Sequence, residues 1–68
     1  MNFTIVYDRE SDGRWIAEIK DIPGVLVYGN TFDEAASKVK ALALRVLADK
    51  FEQMELKESK ISIEFQEA

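Results

Sequence analysis

Sixty-eight residues suit one domain at the small end of what folds alone, where about 60% of the unfolded chain's surface becomes buried. With neither cysteine nor histidine, the chain has no disulfide, no thiolate chemistry and neither of zinc's preferred ligands. Nine basic residues, scattered among thirteen acidic ones, leave a net charge of −4 and argue against direct binding of nucleic acid.

Asn2 to Arg9 alternates Phe3, Ile5 and Tyr7 with Thr4, Val6 and Asp8, the two-residue period of a strand. Glu10-Ser11-Asp12-Gly13 is a polar turn, and Arg14 to Lys20 resumes the alternation. Trp15, Ala17 and Ile19 then share one face, while Ile16 and Glu18 share the other. The two segments are expected to form an antiparallel hairpin. Pro23 and Gly24 make the next corner, because Pro23 fixes φ and Gly24 permits the reversal. Val25 to Tyr28 reads as a short third strand.

Thr31 and Glu34 have the spacing of a capping box, which predicts a helix from Phe32 to about Phe51 with two backbone donors satisfied at its start. Phe32, Ala35, Ala36, Val39, Leu42, Ala43, Val46 and Leu47 recur every three or four residues as its core-facing stripe. Glu34 and Lys38 are a favourably ordered pair four residues apart. Glu52 to Ser59 is polar and reads as a loop or fraying helix end. Lys60 to Phe65 alternates again through Ile61, Ile63 and Phe65, predicting a fourth strand, with Gln66 to Ala68 as a tail.

The expected fold is α+β, a two-layer β-β-β-α-β domain spanning residues 1–68. A helix crossover makes strand four parallel to strand three and places it beside strand one, giving sheet order 3-2-1-4. One helix covers one sheet face. The other face keeps Val6 and Ile16, with Leu26 or Tyr28 as further members, and contiguous exposed apolar residues mark contact sites. On the helix, Ala41, Leu44, Ala48 and Phe51 lie off the main stripe and form a second apolar strip. Val6, Ile16, Ala41, Leu44, Ala48 and Phe51 are therefore the candidate partner interface, and a dimer or tetramer is expected.

Catalytic constellations are scarce. The serines have no base of the usual kind, and the Gly24–Gly29 spacing is not followed by the Lys-Ser or Lys-Thr of a phosphate loop. Asp8, Glu34 and Glu64 are the only carboxylates that suggest a magnesium-dependent nuclease, and such a site needs them aimed at a common point. Glu34 already has a capping role. Trp15 beside Tyr28 suggests ligand stacking, but its phase with Ala17 and Ile19 favours the core edge. No catalytic residue, metal or cofactor is expected. No apolar run reaches the ~20 residues of a membrane span, and the N-terminus lacks signal-peptide organisation, so a cytoplasmic protein is the expectation.

Asp12-Gly13-Arg14-Trp15-Ile16-Ala17-Glu18, Asp21-Ile22-Pro23-Gly24, and Tyr28-Gly29-Asn30-Thr31 followed by Glu34-Ala35 together resemble the HicB family of antitoxins. The family pattern is a D-G-x-W/Y-x-A/V strand, a P-x-L-P-G corner and G-D/N-T-x-E/D-E-A opening a helix. Lys20 and Ile22 stand where the family often has Pro and Leu. The likeness covers residues 3 to about 48. It implies a truncated RNase H-like fold and a role in type II toxin–antitoxin systems. There the antitoxin sequesters HicA, a small basic messenger-RNA ribonuclease, by covering its RNA surface. Complete antitoxins of this type usually add a C-terminal DNA-binding segment, which is not seen before Ala68, so autoregulation is not expected. A stand-alone, self-associating HicB-like domain without a toxin is the alternative. The resemblance transfers no catalytic positions.

Overall fold

The computed structural model describes all 68 residues, Met1–Ala68. Strands β1 (Asn2–Arg9), β2 (Trp15–Glu18) and β3 (Leu26–Gly29) precede helix α1 (Phe32–Glu52) and strand β4 (Glu64–Glu67). The sheet order is β3-β2-β1-β4, with β2 antiparallel to both β1 and β3, and β4 parallel to β1. This is the expected α+β architecture and strand order.

Each reversal has a local cause. In the first hairpin the Arg14 amide donates to Asp12 Oδ1 at 3.0 Å, and the Glu10 amide donates to the Arg14 carbonyl at 2.8 Å. At the second corner the Val25 amide donates to the Ile22 carbonyl at 3.3 Å. Pro23 occupies the second place of that turn, and Gly24 the third at φ 84°, the left-handed position a type II turn requires. Both flanking residues, Ile22 and Val25, are buried, so the corner also contributes to the core.

Thr31 caps α1, its Oγ1 accepting from the Glu34 amide at 3.1 Å. Only this half of the anticipated box forms. The Glu34 carboxylate pairs with Lys38 Nζ at 2.8 Å, drawn to a full charge one turn along instead of to the Thr31 amide. Ala35, Val39, Ala43 and Leu47 pack the helix against Ile5, Ala17, Ile19, Ile22 and Val25, and Ala36 is buried outside this cluster. Three of these buried helix residues are alanines, small enough to bring helix and sheet close together. Phe32 sits 4.3 Å from the Tyr7 ring and edge-on to Trp15 at 5.4 Å, closing one end of this core.

The helix ends in a Schellman motif, with the Met54 amide donating to the Phe51 carbonyl and the Glu55 amide to the Lys50 carbonyl. Met54 holds the left-handed place, φ 61°, that glycine usually fills.

The fourth strand differs from expectation. It runs Glu64–Glu67, not Lys60 to Phe65, and the supposed tail residues Gln66 and Glu67 lie within it. Its position is set by β1: Phe65 pairs with Phe3 and Glu67 with Ile5, and the Phe3 and Phe65 rings lie 6.1 Å apart. Ile61 precedes the strand and remains 51% exposed.

Candidate interaction surface

Alternation along β1, β2 and β3 sends Ile5, Ala17 and Val27 to the helix side and their neighbours outward. The register then assembles the outward residues into two rows. Val6 stands opposite Glu18, and Glu18 opposite Leu26; Asp8 stands opposite Ile16, and Ile16 opposite Tyr28. Val6, Leu26 and Tyr28 are 37%, 44% and 43% exposed, and Ile16 is half-buried among them. The result is an apolar patch with one carboxylate in each row. No element of the chain covers it.

Charge is organised around one end of the patch. The Arg14 guanidinium lies 4.7 Å from the centre of the Tyr28 ring and donates through Nε to Asp12 Oδ2 at 2.8 Å. The Arg14 amide and then its side chain, by hydrogen bonding, hold the Asp12 carboxyl below its ordinary value. Glu18 has no ion-pair partner in the chain. On the opposite face of the sheet, Tyr7 hydroxyl reaches Glu67 Oε1 at 3.5 Å, and burial first, then the Glu67 charge, raises the phenol's pKa.

The six candidate interface residues fall on two surfaces. Val6 and Ile16 belong to the open sheet face. Ala41, Leu44 and Ala48 are exposed on α1, Leu44 by 46%, and Phe51 is half-buried at its end. Because α1 packs its other side on the sheet, the core lies between the two sets and they cannot form one continuous site. Leu26, Tyr28 and Arg14 complete the sheet patch. The alternation of β3 signals the first two, whereas the stacking of Arg14 on Tyr28 has no sequence signature.

The three carboxylates considered for magnesium do not converge. Glu64 pairs with Asn2 at one end of β1, so the Asn2–Asp8 run of strand puts about 20 Å between Glu64 and Asp8. Asp8 Oδ1 accepts from the Arg9 amide at 2.8 Å. Glu34 is committed to Lys38, whose hydrogen bond is the main cause of its lowered pKa. No cluster of three or more potential metal ligands occurs elsewhere, and no pocket opens on the surface. Trp15 faces the core edge, against Phe32, with the Arg9 guanidinium 5.4 Å from its ring. No helix is long and apolar enough to cross a membrane.

Residues 1–67 match the family described as "Domain of unknown function (DUF1902)", and the chain belongs to that family. The match does not tie it to HicB. No curated protein and no solved structure matches the chain.

Proposed function

We propose that this DUF1902 domain is a protein-binding module of the antitoxin type, which neutralises a small basic ribonuclease of the HicA kind by occluding its RNA surface. The observation that carries the reading is the uncovered sheet patch of Val6, Ile16, Leu26 and Tyr28 with Asp8 and Glu18 set into its rows. Apolar area of this kind supplies affinity when a partner excludes water from it. The carboxylates and the net charge of −4 favour a cationic partner, speeding encounter and selecting against acidic surfaces. The ordered likeness of Asp12–Glu18, Asp21–Gly24 and Tyr28–Ala35 to HicB motifs supports the same class.

The test is co-expression with a HicA-like ribonuclease encoded beside the gene, followed by titration calorimetry of the purified pair. The reading expects relief of toxicity and salt-sensitive binding that Ile16→Lys weakens strongly. Undiminished toxicity, or binding indifferent to Ile16→Lys, would sink it. A second reading, self-association without a toxin, is favoured by the free edge of β3.

A further inference from the structure

We propose that β3 is the seam of a symmetric dimer, in which two copies of the chain pair their β3 strands antiparallel about Val27 and form one eight-stranded sheet. The inference uses the sheet's edge instead of its open face, so it stands whether or not a toxin exists.

The phase of the β2–β3 ladder supplies the first argument. The Ile19 amide donates to the Val25 carbonyl at 3.0 Å, which makes these two a hydrogen-bonded pair. Bonded and non-bonded pairs alternate along an antiparallel ladder. Ala17 with Val27 and Trp15 with Gly29 are then bonded, while Glu18 with Leu26 and Ile16 with Tyr28 are not. The amides and carbonyls of Leu26 and Tyr28 consequently point off the sheet. Of these four groups only the Tyr28 carbonyl has a partner, Lys38 Nζ at 3.4 Å.

A two-fold axis at Val27 sets Leu26 of each copy against Tyr28 of the other. Both residues then exchange both backbone bonds, four across the seam, and the Tyr28 carbonyl can keep Lys38 on its second lone pair. The same operation joins the row Asp8-Ile16-Tyr28 to Leu26-Glu18-Val6 of the second copy. An apolar centre results, with Leu–Tyr cross-strand neighbours on the exposed face.

Register identifies a second copy as the occupant, because about Val27 the edge is its own complement and the same two residues, Leu26 and Tyr28, supply both halves of the seam. The Arg14 guanidinium already lies over Tyr28, two strand spacings, or about 10 Å, from the second copy's Glu18 backbone. The guanidinium, already bonded to Asp12, can be shared with that Glu18, which has no ion-pair partner within its own chain, and the contact occurs twice per dimer. The strand is short and Lys38 stands at its edge, features that blunt indiscriminate pairing. The pairing strand is only four residues long, so weak association that shows at high concentration is expected.

Sedimentation equilibrium up to about 1 mM chain tests the proposal, because a weak dimer becomes visible there. The wild type is expected to dimerise. Leu26→Pro removes an amide that points off the edge, where proline is tolerated, and should abolish dimerisation with the fold retained by circular dichroism. R14E and E18R each place like charges across the seam and should weaken self-association about tenfold. An equimolar mixture of the two should recover it, since both contacts become attractive in the mixed dimer. A wild-type monomer throughout, a dimer unmoved by Leu26→Pro, or a mixture no stronger than its components each overturns the proposal.

Discussion

In β1, Ile5 is fully buried and Val6, the next residue, is more than a third exposed. Both are β-branched, both favour a strand, and they differ by one methylene group. Alternation turns them to opposite sides, but it does not decide which side is covered. That is decided by α1, whose alanines let it lie close over one face, and by the absence of any second layer over the other. The two faces therefore differ: one holds the fold together, and the other keeps its apolar residues partly exposed.

Truncation on each face is the strongest way to test this division. Ile5→Ala should cost about 2–5 kcal/mol, the range for a buried aliphatic residue with its cavity, whereas Val6→Ala should stay within about 0.5 kcal/mol. Urea denaturation midpoints would show the difference; equal losses would mean that the outer face is covered in solution. Gly29→Ala probes the closeness of the covered side. A Cβ there would come 2.5 Å from the Ala35 nitrogen, and backbone cannot swing aside as a side chain can. Strand and helix start must separate, at a cost of about 1–3 kcal/mol.

Met54→Gly has the opposite sign. Relief of the left-handed backbone outweighs glycine's added chain entropy, and the melting temperature should rise with a gain of about 0.5–1 kcal/mol. An unchanged melt would mean that Met54 bears no strain.

The smallest effect is the dependence on pH. Asp12 and Glu34 titrate below their ordinary values in the folded chain, so their contribution is present above about pH 4.5 and is lost as pH falls through the folded values. Tyr7 titrates above 10.0, so its contribution is present below that value and is lost as pH rises through the folded one. Thermal melts should be flat between these limits, and Asp12→Asn with Glu34→Gln should flatten the acid arm.

What was legible in the residues was local. Asp12-Gly13, Pro23-Gly24 and Thr31 with Glu34 each act within four positions, and β1 and α1 lie within a residue of their expected bounds. The alternation of Ile61, Ile63 and Phe65 was misleading because a parallel partner, not the segment's own pattern, chooses the paired residues. The close approach of Gly29 to Ala35 follows from how β3 and the start of α1 pack, and the left-handed Met54 has no glycine to mark it, so neither shows in the residue pattern. The interface candidates divide in the same way. Val6 and Ile16 followed from a period of two, but only the tertiary arrangement shows that Leu44 and its neighbours belong to a different surface.

The parallel pairing of β1 and β4 has a consequence for biosynthesis. The Met1 ammonium bonds to the Ser62 carbonyl across 61 positions, and β4 leaves the ribosome after β1, the hairpin and the helix. Until then β1 has an empty flank, with the hairpin and helix already able to assemble beside it. Closing so long a loop is slow relative to forming local turns, and an unfilled strand flank is a template for aggregation. The nascent chain is thus most vulnerable in the short interval before Glu64 to Glu67 arrive.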